Sequence, residues 1–148
     1  MTPELQSGPG AVGRASWSGT AVFTVTAVGA DLFTGFEAVA FVVAVALFVA
    51  GCAAFITAYF RAVGRSRAEL IAVSSLFFLS GSAPMPVRRS LLGSFAVQVI
   101  VAFATAIARP YTSLAAGTLV PVYGLALCGL WGALYGTFKP RTDPTAME

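Results

Sequence analysis

Histidine is absent from this chain, and charged side chains are absent from three long stretches of it. No Asp, Glu, Lys or Arg occurs within residues 38–60, 90–108 or 111–138. Only 10% of the residues are charged and 57% are hydrophobic, whereas an ordinary soluble domain is about 25% charged. Each stretch has the roughly 20 residues that a helix needs to cross a bilayer. The sequence therefore predicts an all-α integral membrane protein.

The same absences exclude most of the chemistry that membrane proteins perform. Haem, zinc and copper sites usually include His, a Ser–His nucleophile requires it, and ion transport normally uses carboxylates inside the membrane. Cys52 and Cys128 fall near the middle of apolar stretches, so we interpret them as packing residues. We expect no enzyme activity, no cofactor and no metal site. We also expect no nucleic-acid partner, since the basic residues flank the apolar stretches and report topology.

Three transmembrane helices are predicted, at about residues 35–60, 90–108 and 113–138. Glu37 suits the positive end of the first helix dipole. Pro121 lies inside the third helix and is expected to kink it, because proline cannot donate a backbone hydrogen bond. Together these helices define a helical membrane domain over residues 36–141, followed by a cytoplasmic tail at 142–148.

The first 35 residues are predicted to form an extracytoplasmic tail and an interfacial segment. Residues up to Ala15 contain Pro, Gly and Ser and are expected to be irregular. Residues 16–34 are moderately apolar but rich in Thr and Gly, which favours a segment lying at the interface or on a partner. A fourth membrane helix over this region remains open.

Residues 69–86 are predicted to enter the membrane without crossing it. Residues 69–79 have the pattern of an apolar helix, and Gly81, Pro84 and Pro86 then break it. About ten strongly apolar residues make about 15 Å of helix, which is half a bilayer. The predicted fold is therefore three transmembrane helices plus a half-length re-entrant or interfacial helix, although a crossing segment remains an alternative.

Counting cations gives the predicted orientation. If residues 69–86 do not cross, seven of the nine Lys and Arg residues lie inside, with Arg14 and Arg109 outside. This predicts a multi-pass membrane protein with its N-terminus outside and its C-terminus cytoplasmic. The richness in Ala, Val and Gly suggests a bacterial source, so the expected location is the bacterial plasma membrane. Five arginines are expected to fix this topology and to contact lipid headgroups, including anionic ones: Arg61, Arg65, Arg67, Arg88 and Arg89.

Small residues on the third helix are the clearest packing signal. Gly124, Cys128, Gly132 and Gly136 recur every four residues, and small side chains let helices approach closely in lipid. This ladder predicts contact either with the protein's own helices or with another subunit. Gln98 is the most polar side chain within a span, and we expect it to hydrogen-bond to a neighbouring helix.

Two segments carry a resemblance to a known group of proteins. Residues 81–89 (GSAPMPVRR) and 129–141 (GLWGALYGTFKPR) are similar to those of small actinobacterial polytopic membrane proteins, and the resemblance covers most of residues 36–141. Such proteins include accessory subunits of the cytochrome bcc–aa3 oxidase supercomplex of the respiratory chain. The resemblance implies an accessory role but assigns no functional residue.

The sequence thus predicts a non-catalytic accessory or assembly subunit of a larger inner-membrane complex, and the resemblance points to a respiratory oxidase. The expected partners are other membrane subunits and lipids. The alternative is a small homo-oligomeric carrier or channel-like protein, which should show a polar path between protomers.

Overall fold

The computed structural model describes residues 8–110 and 112–142, and four long helices form its bundle. They are α1 (Pro9–Leu32), α2 (Glu37–Arg65), α4 (Met85–Ala108) and α5 (Pro121–Tyr135), the last preceded by a 3₁₀ helix at Ser113–Leu119. Three shorter elements complete the chain: β1 (Glu69–Leu70), α3 (Val73–Phe77) and β2 (Lys139–Pro140). Three helical segments, at 37–65, 85–108 and 113–135, are long and apolar enough to cross a membrane. This confirms the predicted fold class.

Helices α1 and α4 lie side by side and run in the same direction. Three polar pairs join them, and the residue numbers rise together on both helices: Ser16 with Ser94, Thr20 with Gln98, and Asp31 with Arg109. The side chains of Phe23 and Ala27 on α1 pack with Ala102 on α4 in one apolar cluster. The first residues of α1 and α4 therefore lie at the same end of the bundle.

Helices α2 and α5 form a second parallel pair, and the buried residues of α2 are all small. A Cβ added to Gly51 would lie 2.7 Å from the Cα of Tyr123, so the two backbones approach closely there. Further along, the Arg65 side chain reaches the carbonyl of Ala133. All the buried residues of α2 are alanine or glycine: Ala40, Ala44, Gly51, Ala58 and Ala62. Such a face allows the close contact on which helix association in lipid depends.

The segment between α2 and α4 stays at one end of the bundle. Strand β1 pairs antiparallel with β2, with Leu70 opposite Lys139. The N–H of Thr137 also donates to the carbonyl of Ser82 at 3.0 Å. The predicted helix at 69–79 is shorter than expected, because β1 occupies its start and α3 spans only five residues. The buried Leu79 then adopts the left-handed region (φ 54°), which ends the helix.

The third predicted span changes its helix type at Pro121. The chain forms a 3₁₀ helix up to Leu119, and Pro121 is the first residue of α5. Proline suits this first position because its missing N–H would have no helical partner there. The expected kink is thus a junction between two helices, and α5 ends at Tyr135 rather than at 138.

The N-terminal region differs from the prediction. Residues 9–15 were expected to be irregular but form the first two turns of α1, which continues to Leu32. An interfacial helix would lie across the ends of the spans, whereas α1 lies along α4. Its 24 residues measure about 36 Å. Helix α1 is not among the three described segments that are long and apolar enough to cross a membrane. The remaining N-terminal residues, 1–7, and most of the predicted tail, 143–148, lie outside the described residues.

Ion pairs close the opposite end of the bundle. Arg109, at the end of α4, donates to Glu37 at the start of α2 at 2.8 Å and lies 3.5 Å from Asp31 of α1. A short connection, residues 109–112, leads from α4 into the 3₁₀ helix, and Tyr111 within it lies outside the described residues. One arginine therefore holds three helix ends together.

The parallel pairing of α1 and α4 predicts a specific cross-link. In a variant with Cys52 and Cys128 replaced by Ala, the pair Ser16→Cys and Ser94→Cys should form a disulfide in membranes, because the two side chains meet. The pair Thr26→Cys and Ser94→Cys is the control, since residue 26 lies about 15 Å further along α1. Gel mobility under non-reducing conditions measures both. Efficient cross-linking of the control pair would contradict the arrangement.

Candidate functional site

Gln98 joins three helices inside the bundle. It lies on α4, is completely buried, and donates from Nε2 to Thr20 Oγ1 of α1 at 2.7 Å. Its Oε1 accepts from the backbone N–H of Gly124 of α5 at 3.1 Å. The Gln98 side chain thus donates one hydrogen bond to α1 and accepts another from α5. This places Gln98 where the sequence predicted a polar contact with neighbouring helices.

The junction at Pro121 explains why α5 needs this acceptor. The carbonyl of Val120 accepts from Tyr123 N at 2.8 Å, which is a three-residue turn. In a regular α-helix the N–H of Gly124 would donate to this carbonyl of Val120. Here it donates to Gln98 Oε1. Gly124 also makes room for the amide, because a Cβ there would lie 2.5 Å from Gln98 Oε1. Gln98 and Gly124 are therefore matched in both hydrogen bonding and shape.

Further polar contacts extend from Gln98 toward the start of α1. The hydroxyls of Ser16 and Ser94 hydrogen-bond to each other, and both side chains are fully buried. The hydroxyl of Tyr123 donates to the carbonyl of Ala15 at 2.8 Å. With Gln98 and Thr20 these residues form what we call the polar seam: Ser16, Thr20, Ser94, Gln98 and Tyr123. The seam attaches α1 to α4 and α5.

The predicted small-residue ladder packs against the chain's own residues. Gly124 contacts Gln98, and Cys128 lies fully buried in an apolar cluster with Leu91. A Cβ on Gly132 would lie 2.5 Å from the carbonyl oxygen of Leu76 in α3. These three positions are therefore covered within the bundle, which is the intramolecular alternative for the ladder.

Gly136 does not belong to this helical face. It follows the last residue of α5 and has extended backbone angles (φ −63°, ψ 144°). Its N–H still donates to the carbonyl of Gly132 at 2.9 Å, and an added Cβ would collide with that same carbonyl. The last step of the predicted ladder, from Gly132 to Gly136, thus forms a tight helix end instead of a continuous packing face.

Arg65 stabilises that helix end. Its guanidinium donates to the carbonyls of Ala133 and Gly136 at 3.0 and 2.9 Å, pairs with Glu69 at 2.8 Å, and lies 5.0 Å from the ring centroid of Phe138. The last carbonyls of a helix have no helical donors, and a cation there also interacts favourably with the helix dipole. Arg65 was predicted to contact lipid headgroups and to fix the topology. Its guanidinium instead makes these contacts within the chain.

The other predicted arginines divide into two kinds. Arg88 is half-buried and donates from Nε to the carbonyl of Phe78 at 3.1 Å, which fixes the turn before α4. Arg61, Arg67 and Arg89 are exposed. All five lie at the end of the bundle where α2 ends and α4 begins.

Several seam residues were missed from the sequence, although their spacing signals them. Buried residues of α1 recur at helical intervals, at Ser16, Thr20, Phe23 and Ala27. This is one face of a 3.6-residue period, and the Thr and Gly content of α1 concealed it. The period indicates that this one face of α1 packs against other helices.

The chemistry available to the seam is hydrogen bonding between neutral groups. It contains two serines, a threonine, an amide and a phenol, and its Ser, Thr and Gln side chains are almost completely buried. Within the described residues, no group of three or more His, Cys, Asp or Glu residues is placed to hold a metal ion. The arrangement can therefore bind helices together, and the seam offers neither an acid nor a cation to a substrate.

Two glycine substitutions test the packing role of the ladder. Gly132→Ala should lower the unfolding free energy by about 1–3 kcal/mol, because its Cβ would overlap the Leu76 carbonyl. Gly64→Ala is the matched control: a Cβ there meets nothing within 4 Å, so it should be neutral or stabilise α2 by up to about 1 kcal/mol. Unfolding in detergent followed by circular dichroism gives both values. Equal stability of the two variants would contradict the packing.

Comparison of the chain with protein-family models, curated proteins and solved structures finds no match. A functional assignment therefore depends on the geometry of the bundle.

Proposed function

We propose that this protein is a non-catalytic accessory or assembly subunit of a larger complex in the bacterial plasma membrane. The resemblance described above makes a respiratory oxidase the first complex to test. The observation that carries the proposal is that the interior polar side chains hydrogen-bond to one another and to the backbone, and so hold the helices together. The expected partners are membrane subunits whose helices pack on the outer surface of the bundle.

The interior supports a structural role. Gln98, Thr20, Ser16 and Ser94 all hydrogen-bond within the chain, and Thr105 donates to the carbonyl of Val101 at 2.9 Å. A buried polar group that is already satisfied gains little by binding a passing solute. These contacts favour the accessory role over a carrier whose path runs through one protomer.

The outer surface supports contacts with helices or lipid. On α4, Ile100, Phe103 and Ile107 are 67%, 57% and 75% exposed and lie on one face. On α2, Val42 and Phe60 are exposed to a similar degree. Because the small-residue ladder is covered, a partner subunit would pack against these large apolar side chains.

The orientation of the bundle is part of the proposal. Since α1 runs parallel to α4, its start lies at the end of the bundle that also carries the basic loops. Of the nine Lys and Arg residues, Arg109 alone is at the opposite end, and the other eight share this one: Arg14, Arg61, Arg65, Arg67, Arg88, Arg89, Lys139 and Arg141. We propose that this end faces the cytoplasm. Under this proposal the start of α1 lies inside, which differs from the outside N-terminus predicted from the sequence.

Co-purification from native membranes tests the accessory role. A tagged chain extracted in a gentle detergent should migrate on native gels as part of a larger assembly, and mass spectrometry should identify other membrane subunits in fixed stoichiometry. Ala104→Trp on α4 and Ala53→Trp on α2 place the same bulky residue at exposed positions of two faces, so the variant that dissociates the assembly locates the interface.

The same experiment separates the two functional hypotheses. Recovery of the chain only as a monomer or as a homo-oligomer would contradict the accessory role. A pure homo-oligomer would favour the carrier or channel-like alternative, whose path would then lie between protomers.

A further inference from the structure

An open groove lies between the first turns of α1 and α4. Its volume is about 410 Å³, within the range of about 300–1,000 Å³ that is typical of small-molecule sites. Pro9 and Gly13 form the α1 side, and Pro86, Val87 and Leu91 form the α4 side. The groove runs along the bundle and opens on its outer surface.

Two glycines create this space without serving the packing of the chain. A Cβ added to Gly10 or to Gly13 would meet nothing within 4 Å. By contrast, a Cβ at Gly19, nearly two turns beyond Gly13, would lie 2.5 Å from the Tyr123 ring. Each glycine costs a helix about 1 kcal/mol relative to alanine. The glycines at 10 and 13 therefore keep a helix surface open where the described chain places nothing.

The groove carries a positive charge beside its apolar walls. Among the described residues that line it, Arg14 carries the only charge, and its side chain is exposed. Trp17 closes the deeper side and donates from Nε1 to Ser90 Oγ at 2.9 Å. Tryptophan prefers the membrane interface. Both helices also begin here without an acidic residue in the first turn, so the positive ends of their dipoles add to the charge of Arg14.

We propose that this groove binds one acyl chain of an anionic glycerophospholipid, whose phosphate pairs with Arg14. The apolar walls match the acyl chain, and the single cation at the rim matches the phosphate. The site is separate from the arginines of the α2 end and loops, because Arg61, Arg65 and Arg67 do not line the groove. The inference rests on the membrane location proposed above, but not on the identity of any partner complex.

Native mass spectrometry of the detergent-purified chain tests the site with phosphatidylglycerol and phosphatidylcholine of identical acyl chains. The wild type should retain one phosphatidylglycerol, preferred over phosphatidylcholine by about fivefold, as expected for one arginine near an anionic headgroup. Arg14→Gln should remove most of this preference. Arg67→Gln, an exposed arginine at the same end, should keep it.

Filling the groove tests the acyl-chain contact. Gly13→Leu should abolish retention of both lipids while leaving thermal unfolding of the lipid-free protein unchanged or raised, because the added side chain has room and favours helix. Gly10→Leu gives a second variant of the same kind. Gly64→Leu, at an open position away from the groove, should bind like the wild type.

Three results would overturn the inference. The wild type could show no preference for phosphatidylglycerol, both glycine variants could fold and retain lipid, or Arg67→Gln could lower the preference as much as Arg14→Gln. The last result would indicate a general basic surface. Any of these could occur while co-purification with other subunits remains intact, so failure here is distinguishable from failure of the accessory role.

Discussion

The hydrogen bond from the Gly124 N–H to Gln98 is the interaction on which the rest of the bundle depends. Inside a membrane every backbone polar group must be satisfied within the protein. The 3₁₀-to-α junction at Pro121 leaves one N–H without a helical acceptor, and α4 supplies it through Gln98. The Gln98 side chain also donates to Thr20. The residue that accepts from the α5 backbone therefore also fixes the position of α1.

Close backbone contact is the second constraint, and the glycines and alanines satisfy it. Gly51 of α2 meets the backbone of Tyr123, and Gly132 of α5 meets the carbonyl of Leu76. Because these small residues face inward, the large apolar side chains remain on the outside, where lipid or another subunit contacts them. Arg65 and Arg109 then secure the two ends of the bundle through carbonyl and carboxylate contacts. The outer surface of the bundle can therefore pack against the helices of other subunits, which is the basis of the proposed accessory role.

Much of this architecture could be predicted from sequence, and the exceptions have physical causes. Three spans, the contact of Gln98 and the return of the segment between α2 and α4 follow from charge-free stretches and from helix breakers. A long helix over residues 16–34 was only an alternative, because hydropathy measures preference for apolar surroundings, whereas Ser16 and Thr20 of α1 face other helices. Gly136 lies just beyond the end of α5. A four-residue spacing could not predict this, because the spacing in sequence does not show where the helix ends.

The unfolding free energy of Gln98→Leu, measured in detergent, tests the central claim most directly. Leucine is similar in size and cannot accept the Gly124 N–H, so the variant should lose about 1–3 kcal/mol, the cost of a buried donor left without a partner. Ile100→Leu is the control, because it introduces the same residue on α4 at a position that is 67% exposed, and it should leave stability unchanged. A Gln98→Leu variant as stable as the control, or more stable, would contradict the account.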